Sequence, residues 1–179
     1  MNRKNYLSCL WVIPGIRDKT KGWIVVGDVR YPCALGKGAL TYSKREGDGA
    51  TPIAAMAVLG GAYRGDKNLY PANGIGLTRI KPTDGWCDDP ADGRYNRPVC
   101  LPIAKSHEKM MRSDRLYDVV VVLDWNITER IRGRGSAIFF HVAHEDYRPT
   151  EGCIAVSPQT MRRLLPILRR GTMVRIHVS

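Results

Sequence analysis

The sequence predicts a mainly β fold with one or two short helices. Short runs of β-branched and aromatic residues alternate with connections rich in glycine, proline and aspartate, which is typical of strands and turns. A strong helix start is found at Ser157-Pro158, ahead of a periodic apolar face. No apolar run approaches the roughly 20 residues that a transmembrane helix needs, so we expect no integral membrane segment.

The composition predicts a single globular domain over residues 1–179. A chain of 179 residues, of which 44% are hydrophobic, can bury a core without support from metals or disulfides. Its formal net charge of +11 points to an anionic partner: a nucleic acid, an anionic membrane or wall, or an anionic substrate.

Residues 7–13 are predicted to form the first strand, which Pro14-Gly15 ends. The alternative is the apolar core of a signal peptide, because Arg3 and Lys4 precede the run. The run is short for such a core and no cleavage site is clear, so the strand is favoured.

The next elements are also predicted as strands and turns. Gly27-Asp28 forms a two-residue turn that joins residues 23–26 to residues 29–31 as a β-hairpin. Small apolar residues at 53–61 indicate a further strand. Residues 63–79 are rich in glycine, asparagine and tyrosine and are expected to be irregular, with at most one short strand.

Two segments in the middle of the chain are predicted without strands. Residues 84–97 are expected to form a long loop, and residues 105–114 a short helix with Ser106 as its N-cap. The loop carries four aspartates, at positions 84, 88, 89 and 92. They either form turns on a solvated loop or line a site for a cationic group of a substrate.

The C-terminal half carries the strongest strand pattern. Residues 117–123 are an unbroken β-branched run that predicts burial on both faces, and residues 137–140 form the next strand of the same sheet. Pro166 is expected to kink or end the helix, and residues 172–178 to form the last strand. The predicted buried face of the helix comprises Met161, Leu164, Leu165 and Leu168.

The stretch at residues 135–157 carries the chemistry. His141 follows an apolar run at residues 137–140, and Gly152-Cys153 precedes a second apolar run at residues 154–156. A histidine within hydrogen-bond reach of a thiol accepts its proton, and the thiolate is the nucleophile, so we expect a Cys153 pKa below the free value of about 8.5. Gly152 permits a sharp turn that aims nearby N–H groups at an oxyanion.

The same residues have ordinary explanations. Cysteine is among the most buried residue types, and a lone histidine is often a core residue. A zinc site built from His141, His144 and Cys153 lacks a well-placed fourth ligand, so no metal is expected. Of the five cysteines, Cys87 and Cys100 bracket a loop-rich segment and are either a disulfide or two ordinary thiols.

The arrangement resembles the L,D-transpeptidase catalytic domain, also called the YkuD domain. That family has an upstream histidine and then Ser/Thr-His-Gly-Cys; here His141 precedes Thr150-Glu151-Gly152-Cys153, at a shorter spacing and with Glu151 in place of the second histidine. Residues 44–52 resemble the Thr-Pro motif of the family. Residues 85–90 and 95–97 resemble a proteobacterial subgroup with the same Glu-Gly-Cys variant.

The resemblance implies a mixed β-sandwich and a cysteine acyltransferase without a cofactor. Cys153 would be the nucleophile, His141 the base, and Gly152 part of the catalytic turn. The implied substrate contacts are Glu151, Arg45, Thr51, Trp86, Asp88, Tyr95, Asn96, Ser136 and Arg148.

The implied partners are peptidoglycan stem peptides that contain diaminopimelate, and the implied location is the periplasm or another wall-facing compartment. A stem-peptide carbonyl would acylate the cysteine, and a diaminopimelate amine would resolve the thioester. The Glu-Gly-Cys variant suggests cross-links from L-Ala at position 1 to diaminopimelate at position 3, instead of the usual link between two diaminopimelates. Water as the acceptor would give an endopeptidase or carboxypeptidase.

Several alternatives stay open at this level. Glu151 beside the nucleophile would raise a thiol pKa, so it points away, pairs with a cation such as Arg148, or binds the ammonium group of the substrate. A cysteine peptidase of another fold is a related reading. A nucleic-acid-binding module is the alternative from a different class, and four arginines near the helix end would then contact phosphates: Arg162, Arg163, Arg169 and Arg170.

Overall fold

The computed structural model describes residues 6–67 and 71–177. This part of the chain is built of fourteen strands, a 3-10 turn at Gly65–Lys67 and one seven-residue α-helix, α1, at Pro158–Leu164. The strands are β1 (Cys9–Pro14), β2 (Lys21–Val26), β3 (Val29–Ala34), β4 (Leu40–Thr41), β5 (Thr51–Pro52), β6 (Ala55–Tyr63), β7 (Leu77–Arg79), β8 (Asp84–Cys87), β9 (Arg97–Cys100), β10 (His107–Lys109), β11 (Val119–Leu123), β12 (Phe139–Val142), β13 (Ile154–Val156) and β14 (Met173–Ile176).

The main sheet has nine strands in the order β11-β12-β13-β3-β2-β1-β14-β6-β7. A further pairing of β11 with β6 joins the two sides of this sheet, so eight of its strands form a closed ring. The pairs β1–β14 and β12–β13 are parallel, whereas β2 pairs antiparallel with both β1 and β3. The mainly β, mixed-sheet fold expected from the sequence is therefore confirmed.

The core lies on the inner face of this ring. Alternate residues of the strands point inward, as in β1, where Leu10 and Val12 are buried while Trp11 is exposed. Helix α1 and the segment after it pack into this core through the four predicted residues, each no more than 1% exposed: Met161 and Leu164 in the helix, Leu165 and Leu168 beyond its end. Ser157 caps the helix by accepting a hydrogen bond from the Thr160 N–H, and the helix ends before Pro166, as predicted.

Most predicted strands are confirmed with small shifts in their bounds. β1 occupies the N-terminal run that was weighed as a signal-peptide core, and the Gly27-Asp28 turn joins β2 to β3. The valine-rich β11 is buried on both faces, which explains its unbroken apolar run: Val121 and Leu123 pack in the main core and Val120 in a second cluster that contains Cys153. β12 starts later than predicted because Ala137 has a φ of 52°. Val178, in the predicted last strand, lies outside the described residues.

The prediction for the middle of the chain was wrong in two places. Residues 84–97 are not one long loop, because β8 and β9 lie at their ends and pair with each other. Residues 105–114 contain no helix; β10 instead pairs antiparallel with β8. These three strands form a small separate sheet, and it forms part of the surroundings of Cys153.

The cysteines of this region are not joined by a disulfide. All five cysteines are free thiols, and Cys87 lies opposite Arg97 whereas Cys100 lies opposite Asp84, so the two do not face each other across the hairpin. No helix in the described part of the chain is long and apolar enough to cross a membrane.

Candidate active site

Cys153 and His141 come from neighbouring parallel strands and line the same cavity. His141 lies in β12 opposite Ala155 of β13, and Cys153 directly precedes β13. The two side chains share a cavity of about 270 Å³ with Glu108, Arg112 and Tyr117. Strand pairing therefore brings together the two residues that the sequence singled out.

The Cys153 thiol is buried and held by backbone groups. Its Sγ donates to the Ala137 carbonyl at 3.2 Å and accepts from the Phe139 N–H at 3.3 Å. Burial, with the nearby Glu108 carboxylate second, raises the Cys153 pKa to about 12. The expectation of a pKa below the free value is therefore wrong for the free protein, in which the thiol is protonated.

His141 is buried and neutral. Its Nδ1 lies 2.8 Å from the Val142 carbonyl, which accepts only, so Nδ1 carries the proton and Nε2 is left as the acceptor. The Tyr117 ring packs edge-on against the imidazole, with 5.4 Å between the ring centroids. Burial lowers the His141 pKa to about 4.

The pair is therefore a thiol and a neutral imidazole at rest. Moving the proton from Sγ to Nε2 would create two opposite charges at once, and each alone is disfavoured by the dry surroundings. The thiolate–imidazolium pair is favoured only when its two opposite charges stabilise each other or when a bound ligand stabilises them.

The Thr150-Glu151-Gly152 turn is fixed by its own hydrogen bonds. Gly152 has a φ of 126°, and a Cβ there would lie 2.8 Å from the Ala50 carbonyl oxygen, so other residues are excluded. The Thr150 hydroxyl donates to the Cys153 carbonyl at 2.6 Å and accepts from the Gly152 N–H at 3.2 Å. The Gly152 N–H is used within the turn, so any oxyanion donor must come from a neighbouring residue.

Glu151 points to solvent and pairs with Lys37 at 2.8 Å. Of the alternatives left open for Glu151, the side chain thus points away and pairs with a cation, which is Lys37; an Arg148 guanidinium nitrogen instead lies 3.0 Å from the Nδ1 of His144. Glu151, Arg148 and His144 all lie on the wall of the cavity. The Lys37 partner offsets the negative charge of Glu151 near the nucleophile.

Seven of the predicted substrate contacts do not line this cavity: Arg45, Thr51, Trp86, Asp88, Tyr95, Asn96 and Ser136. Thr51 is fully buried and accepts from the Gly36 N–H at 2.8 Å. Arg45 is exposed, and the Tyr95 hydroxyl donates to Glu46. Asp88 and Ser136 each carry a buried side-chain oxygen without a hydrogen bond. Of the seven, Trp86 packs in the same apolar cluster as Cys153, and Asn96 accepts a hydrogen bond from Trp86, so these two support the site from behind.

Asn96 is the centre of that support. It is fully buried, and its Oδ1 accepts from the Trp86 Nε1–H at 3.0 Å and from the Ala137 N–H at 3.1 Å. Its Nδ2 donates to the Trp125 carbonyl at 3.0 Å. Since the Ala137 carbonyl accepts from Cys153, Asn96 positions the Cys153 thiol through one intervening residue.

Glu108, Arg112 and Tyr117 are the cavity residues that the sequence analysis missed. The Tyr117 hydroxyl donates to the Glu108 carboxylate, and the Arg112 guanidinium lies 5.0 Å from the centroid of the Tyr117 ring. Burial raises the Glu108 pKa. Recognising β10 as a strand that pairs with β8 would have indicated this side of the cavity. The helix predicted for residues 105–114 prevented that.

Neither alternative ligand class gains support from the described residues. No group of three or more His, Cys, Asp or Glu side chains there is arranged to hold a metal ion. Two of the four arginines near the helix end are engaged by the chain itself: Arg169 donates to the Gly74 carbonyl and Arg170 to the Ile75 carbonyl.

A family model matches most of the chain. The sequence matches the family model of the L,D-transpeptidase catalytic domain, YkuD, over residues 17–176. No curated protein sequence matches the chain. Among solved structures, L,D-transpeptidase 1 of Mycobacterium tuberculosis is similar at 12% sequence identity and a TM-score of 0.40, over 94% of this chain and 61% of that one. The present chain thus spans about three fifths of that protein.

Proposed function

Because the chain belongs to the L,D-transpeptidase catalytic domain (YkuD) family, we propose that it is a peptidoglycan L,D-transpeptidase whose nucleophile is Cys153. The observation that carries the proposal is the shared cavity of Cys153 and His141, on neighbouring parallel strands. The free Nε2 of His141 suits it to accept the thiol proton.

The proposed reaction proceeds through a thioester. As Nε2 of His141 takes the proton, Sγ of Cys153 attacks a stem-peptide carbonyl and forms a tetrahedral oxyanion. The C–N bond then breaks, and the imidazolium returns the proton to the departing amine. An acceptor amine then attacks the thioester and gives a proton to His141. The C–S bond breaks, the imidazolium returns the proton to Sγ of Cys153, and the product carries a new amide bond.

The finer features belong to the same proposal. The acceptor amine is that of diaminopimelate, and the Glu-Gly-Cys turn supports membership of the subgroup that links L-Ala at position 1 to diaminopimelate at position 3. Hydrolysis of the thioester would add endopeptidase or carboxypeptidase activity. Residues 1–179 act as one catalytic domain, supported by the pairing of β1 with β14. The protein then works in the periplasm or facing the wall, where these substrates lie.

The experiment is incubation of the protein with purified muropeptides, followed by mass analysis of the products. A dimer in which the new bond joins an L-Ala carbonyl to a diaminopimelate amine is expected, with monomers of lost mass if water also acts as acceptor. A dimer joined through two diaminopimelates would overturn the 1-3 assignment alone. If no stem peptide gives a product, the transpeptidase assignment itself is wrong.

A further inference from the structure

The cavity wall beside Cys153 carries a carboxylate without a cationic partner. Glu108 lies in the middle of β10, opposite Trp86 of β8, and its side chain faces the cavity that holds Cys153. Among the described residues no Lys or Arg forms an ion pair with it, although the chain has a net charge of +11. The nearby Arg112 is already paired with Asp114 at 2.7 Å.

Tyr117 fixes this carboxylate relative to the reacting groups. Its hydroxyl donates to Glu108, and its ring packs edge-on against both Phe139 and His141, with centroids 5.9 and 5.4 Å apart. The Phe139 N–H in turn donates to the Cys153 thiol. Glu108 is thus held by the same residues that hold the catalytic pair.

Two carboxylates behind the cavity repel the Glu108 charge, whereas the two guanidinium groups on the cavity wall, Arg112 and Arg148, are engaged by Asp114 and His144. Asp88 has a buried oxygen without a partner, and both Asp88 and Glu46 disfavour the charged form of Glu108. The Tyr117 hydrogen bond and the Arg112 guanidinium favour it. Asp88 and Glu46 do not line the cavity, so a cation bound there would contact Glu108 and would offset the repulsion that the other two carboxylates exert on it.

On the basis of the proposed function, we propose that Glu108 binds a primary ammonium group of the peptide substrate in the cavity beside Cys153, and that this cation assists ionisation of Cys153. The Glu108 charge is the second cause, after burial, of the raised thiol pKa. Neutralising that charge with a bound ammonium group therefore lowers the free energy of forming the thiolate. The thiol would become reactive mainly when a correct substrate is in place.

The test uses Glu108→Gln, which keeps the size of the side chain and an oxygen to accept the Tyr117 hydrogen bond. In the free protein, alkylation of Cys153 by iodoacetamide is followed against pH by peptide mass analysis. The variant should reach its half-maximal rate at a lower pH and react several-fold faster at pH 8 than the wild type. Glu129→Gln, in an exposed loop outside the cavity, is the matched control and should match the wild type.

A second variant separates charge from packing. Tyr117→Phe removes the hydrogen bond that Glu108→Gln can keep, but it leaves the Glu108 charge in place, so it should not share the faster alkylation. If Glu108→Gln and Tyr117→Phe accelerate alkylation equally and lower the thermal unfolding temperature equally, the contact between Glu108 and Tyr117 only stabilises the packing of β10 against the segment before β11. Slower or unchanged alkylation in Glu108→Gln would overturn the proposal.

The ammonium group is tested with two muropeptides that differ only by N-acetylation of the free diaminopimelate amine. Wild-type protein and Glu129→Gln should acylate with the free amine about tenfold faster, and Glu108→Gln should lose this preference. An unchanged preference in Glu108→Gln would overturn the assignment. If neither peptide acylates the wild type, the proposed function fails and the ammonium site with it, while the alkylation profile still decides whether Glu108 controls Cys153.

Discussion

His141 and His144 are both histidines of the cavity wall, but their surroundings differ. His141 lies within β12, buried, with Nδ1 committed to a backbone carbonyl. His144 lies past the end of this strand, partly exposed, with Nδ1 against Arg148. A base on a strand is held more rigidly than one in a loop, which favours His141.

We therefore predict that His141→Gln lowers the acylation rate by orders of magnitude, because no other group in the site has a free acceptor nitrogen on a strand. His144→Ala should cost little by comparison. The measurement is the pH dependence of Cys153 alkylation in the three proteins, with the profile of His141→Gln moved to higher pH. A shift in His144→Ala that is absent from His141→Gln would transfer the role of base to His144.

The sequence could predict that Cys153 and His141 lie together in one cavity, but not their ionisation. Gly152 before Cys153 and a histidine at the end of an apolar run were local signals. The raised thiol pKa depends on burial and on Glu108, which lies in a strand that the sequence pattern did not indicate. Desolvation is a property of the packed fold, so residue types alone did not reveal it.

At the scale of elements, the small β8–β9–β10 sheet was missed because its strands are short and poor in β-branched residues. β9 contains Pro98 and β10 is His-Glu-Lys, so local propensity disfavours both. Pairing between distant segments forms them, and single-sequence patterns do not record it. The long main-sheet strands carry their own apolar periods and were found.

Asn96 connects this small sheet to the nucleophile. Replacing it with Ala leaves two buried donors and one carbonyl without their partners, at about 1–3 kcal/mol for each lost bond. We predict a free energy of unfolding lower by a few kcal/mol and slower Cys153 acylation even where the variant is fully folded. Urea unfolding and single-turnover acylation are the measurements.

The matched control is Asn126→Ala. Asn126 is also buried and makes three backbone hydrogen bonds, to Ile131 and Gly135, but none to Ala137. It should lose comparable stability and keep more of the acylation rate. Equal losses of rate in the two variants would show that general loosening, and not the Ala137 link, sets the effect.

At the scale of the whole molecule, the net charge of +11 should attract a carboxylate-rich substrate from a distance. Salt screens this electrostatic attraction, because the Debye length falls to about 3 Å at 1 M ionic strength. We predict that kcat/KM for muropeptides falls as sodium chloride is raised, mainly through KM. A salt-independent kcat/KM would mean that only short-range contacts select the substrate.

The buried His141 also makes stability depend on pH. Its pKa is lowered in the folded protein from 6.5 to about 4, so between these values the unfolded chain binds the extra proton and the folded chain does not. Its contribution is complete above pH 6.5 and is lost as the pH falls to 4, by roughly 3 kcal/mol. The free energy of unfolding of wild type minus His141→Gln, measured from pH 7 to pH 4, should fall by that amount; a constant difference would contradict a neutral buried His141.

The central claim is that a stem peptide acylates Cys153, and the most direct measurement is intact-protein mass analysis after brief incubation with a purified muropeptide, followed by peptide mapping. The wild type should gain the mass of one acyl group, located at Cys153. Cys153→Ala should gain none and form no cross-linked product while keeping its fold, and Cys33→Ala, which removes another buried thiol, should still be acylated. Cross-linking by Cys153→Ala, or an acyl group on a different residue of the wild type, would contradict the account.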